Sequence, residues 1–357
     1  MTKKRIALLY GGRSVEHGVS INSARNIFQY MDRTRFEPIP IGISADGQWF
    51  HHTEVTRDIE AGRPMTLSAN PKEPGFILDG QVIRPDLVFP VLHGTDGEDG
   101  SIQGLLQALG LPFVGSGVIG SALSMNKVAA KQLLLAAGLP VVPFIHFGYA
   151  QRSQIRFEEL SERFGTPFMV KAASLGSSVG VSKVADAEAL SQAVDEAFRY
   201  DDELIVEQYI KGREIECAIL GNEPPEASLP GEIIISSRYD FYSFDAKYVD
   251  GEAVSIKVPA ALAEAEQTDI RRLSIAAYQA LRCRDFARVD LFVSAKGTFI
   301  NEINTIPGFT NSSMFPMMWQ ERGLGFTDLI SRLLDEAMTR GDRENRVRRS
   351  FQSDLNY

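Results

Sequence analysis

Between residues 286 and 316 the chain gathers side chains that could do chemistry together: Arg288, Asp290, Glu302 and Asn304, followed by a Gly/Ser/Thr loop holding Gly308, Ser313 and Met314. The pattern predicts a β-hairpin. A three-residue loop that ends at a positive-φ position needs glycine last, and Ala295-Lys296-Gly297 supplies it. That loop pairs Ser294 with Thr298, Phe292 with Ile300, Asp290 with Glu302 and Arg288 with Asn304. Side chains alternate along a strand, so all four pairs share one face. Directly opposed residues have Cβ atoms about 5 Å apart, and like charges there repel. The two carboxylates therefore want a cation between them, and a divalent ion held by carboxylates, water and a substrate phosphate is the usual Mg²⁺ arrangement. The competing reading is an exposed sheet face with scattered charges. It is weakened by the flanking Arg288 and Asn304 and by the following loop, since strand ends leading into glycine-containing loops offer N–H groups to anions.

A second candidate is the stretch 171–180, Lys-Ala-Ala-Ser-Leu-Gly-Ser-Ser-Val-Gly. Small residues let a backbone approach phosphate, and hydroxyl and N–H groups supply donors. A Walker A loop would put its lysine after the glycines and open a helix. Here Lys171 comes first, at a strand end, which predicts a glycine-rich hairpin folding over phosphates. The stretch 207–216 joins two strands through Gly212; its backbone could hydrogen-bond an adenine edge and one of its carboxylates could take ribose hydroxyls, the alternative being acidic residues on a strand connection without function. The polar, aromatic stretch 236–251, which carries Lys247 and Tyr248, has the length of a lid or binding loop.

The elements that must position these groups begin with an apolar strand over residues 3–10, then Gly11-Gly12 and a helix over 14–31, the entry to a doubly wound α/β unit. Glu16 falls in the first turn of that helix, where its charge suits the positive helix end; a simple capping carboxylate is the alternative. Strands follow at 36–43, 48–50 and 86–92, with a hairpin over 76–83, while the polar, proline-bearing stretch 51–75 reads as a surface excursion. His93 ends a strand, where α/β sheets place ligands. The acidic spacing of 93–100 fails the calcium-loop pattern, so this segment is expected to cap a helix over 101–109. A long helix over 118–137 carries Lys127 and Lys131 one turn apart, as on a solvated face. The α+β pattern beyond has helices at 156–164, 187–199 and 261–282 and strands at 168–171, 179–184 and 204–209. Three domains are expected, at 1–121, 122–211 and 212–357.

The totals narrow the function. A chain of 357 residues exceeds one ordinary core, and 44% hydrophobic with 23% charged residues is a globular composition. A net charge of −9 argues against a broad nucleic-acid surface. No apolar run reaches the roughly 20 residues of a bilayer span and no signal-peptide pattern opens the chain, so the expectation is a cytoplasmic protein with no membrane partner. Cys217 and Cys283 lack metal-ligand spacing and read as reduced core residues. Arg340, Arg343, Arg346, Arg348 and Arg349 read as a solvated tail.

Taken together, Tyr10-Gly-Gly-Arg-Ser-Val-Glu16-His-Gly-Val-Ser20, the 171–180 loop, the 286–304 hairpin and Asn304-Thr-Ile-Pro-Gly308-Phe-Thr-Asn-Ser-Ser313-Met314 resemble the ATP-grasp ligases, specifically the D-alanine:D-alanine ligase family, over nearly the whole chain. The resemblance implies an ATP-grasp fold of α/β class, with α+β central and C-terminal parts and an N-terminal doubly wound parallel sheet. It implies that Lys127 and Lys171 hold ATP phosphates, that adenine lies on Glu207–Ile210 with Glu214 on the ribose, and that Asp290, Glu302 and Asn304 bind two Mg²⁺ ions, with Mn²⁺ as a substitute. Glu16 would take the first D-alanine's amine and form a lid cluster with Ser177 and Tyr248; His93 would line that site, and Lys247 would reach the transferred phosphoryl group. Arg288 and the Gly308 N–H would stabilise developing charge, while Ser313 and the Met314 N–H would hold the second substrate's carboxylate. A homodimer is also implied. Gln208 departs from members with lysine there, which bears on nucleotide affinity. Lys247-Tyr248 looks like the dipeptide-forming type, with D-serine as second substrate left open. An ATP-grasp enzyme acting on another carboxylate would have no reason to match Glu16, Tyr248 and Ser313 together. A non-catalytic nucleotide-binding protein would be expected to have lost Arg288, Asp290, Glu302 or Asn304.

Overall fold

The computed structural model describes residues 2–70, 72–177, 179–236, 238 and 254–347. Its backbone is organised by three sheets. The first has seven strands in the order Gln81–Ile83, Gly75–Leu78, Arg63–Ser68, Trp49–His51, Phe36–Ile43, Lys4–Gly11, Leu87–Pro90. Lys4–Gly11 is flanked by parallel partners on both sides, and its run from Ile6 to Tyr10 is wholly buried, as a central parallel strand requires. Helix His17–Tyr30 covers one face with Ile21, Ala24 and Ile27. It starts three residues later than its expected first residue, so Glu16 sits just before the helix and makes no side-chain capping bond.

Two further expectations in this half need correction. Residues 51–75 are no excursion: Arg63–Ser68 is a strand paired with Trp49–His51, and Val55, Ile59 and Met65 are buried. Its polar, proline-bearing composition conceals a strand that needs few apolar residues to pack. The helix expected over 118–137 is two helices, Val118–Met125 and Lys127–Ala136, because Asn126 takes extended dihedrals and its side chain accepts the Ala129 N–H at 2.8 Å, a cap that restarts the helix in a new direction.

The central sheet is antiparallel, in the order Val181–Val184, Phe168–Ala172, Glu203–Gln208, Phe144–Gly148, and is backed by helices Phe157–Phe164 and Ala187–Ala197. The third sheet runs Val254–Lys257, Gly231–Ile235, Arg213–Leu220, Phe286–Ser294, Gly297–Asn304, with the short strand Glu226–Ala227 beside Arg213–Leu220. Helix Glu264–Ala280 packs on it through Leu273, Ala277 and Tyr278. Cys217 and Cys283 are buried free thiols, as expected.

The first and third sheets meet across aromatic side chains: Phe286 lies edge-on to Phe89 at 6.2 Å and to Phe309 at 6.3 Å between ring centres. Beside them, fully buried Asp285 accepts from Gly115 N at 2.8 Å, Asn222 Nδ2 at 2.9 Å, and Arg340 Nε at 3.0 Å and Nη2 at 2.9 Å. Arg340 also donates to Phe113 O at 2.6 Å. It is therefore not tail: helix Phe326–Asn345 turns this one arginine inward, while Arg343 and Arg346 are exposed and Arg348 and Arg349 lie outside the described residues. Removing one member of a buried, hydrogen-bonded pair strands the other charge at a cost of about 3–5 kcal/mol. Arg340→Ala is expected to lose stability on that scale in urea unfolding, and a loss below about 1 kcal/mol would contradict a buried pair of this kind.

Candidate active site

The hairpin Phe286–Ser294 and Gly297–Asn304 pairs Asp290 with Glu302 and Arg288 with Asn304, as expected, but by another route. The loop has two residues, Ala295-Lys296, closed by Ser294 opposite Gly297, whose φ of 121° suits only glycine. The one-residue slip this causes is absorbed by a bulge, since Leu291 faces Ile300 and Asp290 faces Glu302, leaving Asn301 as the extra residue. The Phe292–Ile300 and Ser294–Thr298 pairs are therefore replaced by Phe292–Phe299 and Val293–Thr298. The bulge also re-aims Asn301, whose Oδ1 accepts from Lys171 Nζ at 3.4 Å.

Arg288 forks onto Asp290 with both bonds at 2.7 Å, and Asn304 Nδ2 donates to Asp290 Oδ2 at 2.9 Å. On the neighbouring strand Glu216 stands opposite Asp290 and lies 3.0 Å from Arg288 Nε. The acidic row is thus three wide, and the third member was not singled out in the sequence. The alternation of Glu214 and Glu216 in Arg213–Leu220 was the available signal.

Facing this row are lysines from the central part. A cavity of about 350 Å³ opens between the sheets, with Val142, Met169 and Ile210 at an apolar side and Lys127, Lys171 and Glu302 at a polar one. Lys127 Nζ donates to Leu175 O at 2.6 Å and lies 3.7 Å from Glu302 Oε2. Glu207 is buried between two ammonium groups, with Oε1 2.8 Å from Lys131 Nζ and Oε2 2.6 Å from Lys171 Nζ. Lys127 and Lys131 are 8% and 1% exposed, which overturns their reading as a solvated face. Helical spacing put both on one face but could not say that the face turns inward. Gln208 gives its side-chain amide to Phe164 O at 3.4 Å, while Glu214 lines the cavity.

At the other end of the loop Ser177, at a left-handed φ of 53°, donates its hydroxyl to Glu16 Oε1, joining the central part to the start of helix His17–Tyr30. Gly94 and Gly176 crowd the same carboxylate: a Cβ on Gly94 would come within 2.8 Å of Glu16 Oε2, and one on Gly176 within 3.0 Å. His93 is buried with both ring nitrogens engaged. Nδ1 lies 2.8 Å from Ile306 O, so it carries the proton, and Nε2 accepts from Ser23 Oγ at 2.9 Å. Ser23 Oγ in turn accepts the Phe309 N–H at 3.2 Å. Burial pushes His93 below its ordinary pKa, and neutral it ties the 306–309 loop to helix His17–Tyr30. Glu98, also not singled out, ties the 306–309 loop to the segment after His93, accepting Gly94 N at 2.7 Å and Ile306 N at 3.1 Å. Ser313 Oγ accepts Thr310 N at 3.0 Å beside Gly308, and Met314 begins helix Met314–Glu321, where first-turn N–H groups lack helical partners. Lys247 and Tyr248 lie outside the described residues.

Asp290, Glu302 and the Asn304 amide oxygen are hard donors on one face, which fits a divalent ion completed by water and phosphate. Among the described residues no three His, Cys, Asp or Glu side chains form a closed cage, and a Mg²⁺ site of this open kind needs none. Burial pushes the Glu207 carboxyl up, but Lys131 and Lys171 together outweigh it and hold it at about 2, below its ordinary 4.5. A depressed acid stabilises the fold above its ordinary value and loses that contribution as pH falls toward the folded one. Unfolding free energy is therefore expected to drop more steeply between pH 4.5 and about 2 in the wild type than in Glu207→Gln; equal slopes in urea titrations would contradict the triad.

Comparison with known proteins assigns the chain to a family. Residues 5–116 match the family model for the D-ala D-ala ligase N-terminus, and residues 133–335 that for the D-ala D-ala ligase C-terminus. The chain is 45% identical over 363 residues to D-alanine–D-alanine ligase A of Escherichia coli K12, covering 98% of this chain and 99% of that one. It is 42% identical to the D-alanine–D-alanine ligase of Shouchella clausii, over 98% of this chain and 99% of that one. Among solved structures, the D-alanine-D-alanine ligase from Coxiella burnetii superposes with a TM-score of 0.85 at 38% identity, over 96% of this chain and 97% of that one. The VanG D-Ala:D-Ser ligase from Enterococcus faecalis superposes with a TM-score of 0.86 at 35% identity, over 94% of this chain and all of that one. The chain has the ATP-grasp fold and belongs to the D-ala D-ala ligase family.

Proposed function

We propose that this chain joins two D-alanines into D-alanyl-D-alanine at the expense of ATP, for peptidoglycan precursor synthesis, through a D-alanyl phosphate. The observation that carries this reading is the Ser177–Glu16 hydrogen bond. It ties a loop lining the cavity of Lys127, Lys171 and Glu302 to a buried carboxylate at the start of helix His17–Tyr30, so a nucleotide cavity and an ammonium-binding group adjoin. The three units 1–121, 122–211 and 212–357 are the natural domains of such an enzyme, and a homodimer its assembly.

Carboxylate is a poor electrophile, and phosphorylation makes it reactive. The first substrate's carboxylate attacks the γ-phosphorus and ADP leaves; the second substrate's amine then attacks the acyl phosphate, and inorganic phosphate leaves. Lys127 and Lys171 grip phosphate oxygens beneath the Ser177 loop, adenine lies on the backbone of Glu207, Gln208 and Ile210, and Glu214 takes the ribose. Glu16 receives the first substrate's ammonium, and His93 acts by fixing the loop beneath it. Arg288 and the Gly308 N–H face the charge that develops on oxygen, and Ser313 with the Met314 N–H hold the second carboxylate. Lys247 and Tyr248 belong to the lid that keeps water from the acyl phosphate. Asp290, Glu302 and Asn304 would hold two divalent ions, Mg²⁺ or Mn²⁺, whose chemistry is to neutralise phosphate charge. Among the described residues no helix is long and apolar enough to cross a membrane.

Phosphate release from ATP with Mg²⁺ and each D-amino acid in turn, with mass spectrometry of the product, tests the reading. Release with D-alanine and formation of D-alanyl-D-alanine is expected. Similarity to a D-Ala:D-Ser ligase makes D-serine the second reading for the attacking amine, and a mixed dipeptide formed in preference from equimolar D-alanine and D-serine would favour it. Glu302→Ala should cut turnover by about a hundredfold or more with the fold intact, and near-normal turnover would remove Glu302 from the metal site.

A further inference from the structure

Lys131 lies outside the cavity, yet it is among the most deeply buried charges in the chain, at 1% exposure, one helical turn beyond Lys127. Its ammonium meets Glu207 Oε1 at 2.8 Å, while the other oxygen of the same carboxylate meets Lys171 at 2.6 Å. Burying a lysine so completely costs folding free energy, which its contact with Glu207 must offset. Glu207 and Lys171 alone would be a closed, neutral pair, and a phosphate would have to compete with a buried carboxylate for Lys171. With two ammonium groups on one carboxylate, the cluster keeps one net positive charge, and Glu207 stays compensated when Lys171 turns into the cavity.

We infer that Lys131 is a positioning residue for nucleotide binding: it holds Glu207 and so leaves Lys171 electrostatically available to the phosphate chain of the nucleotide, without touching that nucleotide itself. The inference rests on the reading of Lys171 as a phosphate-binding group. It differs from a packing role in one respect, because removing the negative charge together with the positive one should restore what removal of Lys131 takes away.

The probe is inorganic tripolyphosphate with Mg²⁺, which presents phosphates without a base, read as its inhibition constant against ATP in the ligation assay on the full chain. Lys131→Met is expected to weaken tripolyphosphate, and to raise KM for ATP, by about tenfold, the scale of one charge-assisted hydrogen bond, with a smaller change in kcat. The double variant Lys131→Met/Glu207→Gln should return the inhibition constant to within about threefold of wild type. A double variant as weak as Lys131→Met, or a Lys131→Met variant as tight as wild type, would overturn the inference. If Lys131→Met does not fold, Glu207→Gln alone should bind tripolyphosphate more tightly than both wild type and the double variant; identical constants in Glu207→Gln and the double variant would overturn it. The underlying reading fails separately, through wild-type enzyme on which tripolyphosphate does not compete with ATP or a Lys171→Ala variant with unchanged KM for ATP.

Discussion

The carboxylate of Glu207 is held out of water between two ammonium groups, and that arrangement fixes where three segments of the chain must meet. Lys131 comes from helix Lys127–Ala136, Lys171 from strand Phe168–Ala172 and Glu207 from strand Glu203–Gln208. A buried charge without its partner costs several kcal/mol, so the helix has little freedom to shift along the sheet. Asn126 is part of the same constraint. By ending one helix and capping the next it sets the direction in which Lys127 and Lys131 point, while the Lys127 N–H bonds Ala173 O at 2.9 Å and locks the helix start to the 171–180 loop.

A comparable junction holds the N-terminal sheet against the C-terminal one. Asp285 and Arg340 satisfy each other and the backbone of Gly115 and Phe113, and the Phe89, Phe286 and Phe309 rings close the gap beside them. His93 and Ser23 then hold the Phe309 N–H and the Ile306 carbonyl, so the loop leading to Gly308 and Ser313 is referenced to the N-terminal sheet as well as to its own hairpin. A loop pinned from two sides keeps its N–H groups aimed, which the proposed role of the Gly308 N–H would require.

The polar site is largely self-compensated. Three carboxylates in a row would repel, but Arg288 forks onto Asp290 and touches Glu216, and Lys127 approaches Glu302. Under the proposed function, binding of charged ligands would be an exchange of partners: Lys171 would turn from Glu207 and Asp290 from Arg288, and part of the binding free energy would offset the contacts given up. The return is a site whose side chains are oriented before substrate arrives, at some expense in ground-state affinity.

The sequence by itself determined the local chemistry. Strand alternation put Arg288, Asp290, Glu302 and Asn304 on one face, and the parallel strand, glycine turn and helix at the N-terminus follow from a continuous apolar run and a 3.6-residue period. Local signals are strong where a short pattern admits one backbone answer. They failed where a pattern admits two: Ala295-Lys296-Gly297 serves a two- or a three-residue loop, and only the bulge at Asn301 kept the acidic pair in register. Tertiary structure alone decided which charges are interior. Lys131 and Arg340 carry no mark that separates them from surface residues, because a charge becomes tolerable inside only when a partner arrives from a distant part of the chain. The meeting of Glu16 with Ser177 is of the same kind, set by how separate sheets pack and not by any spacing along the chain.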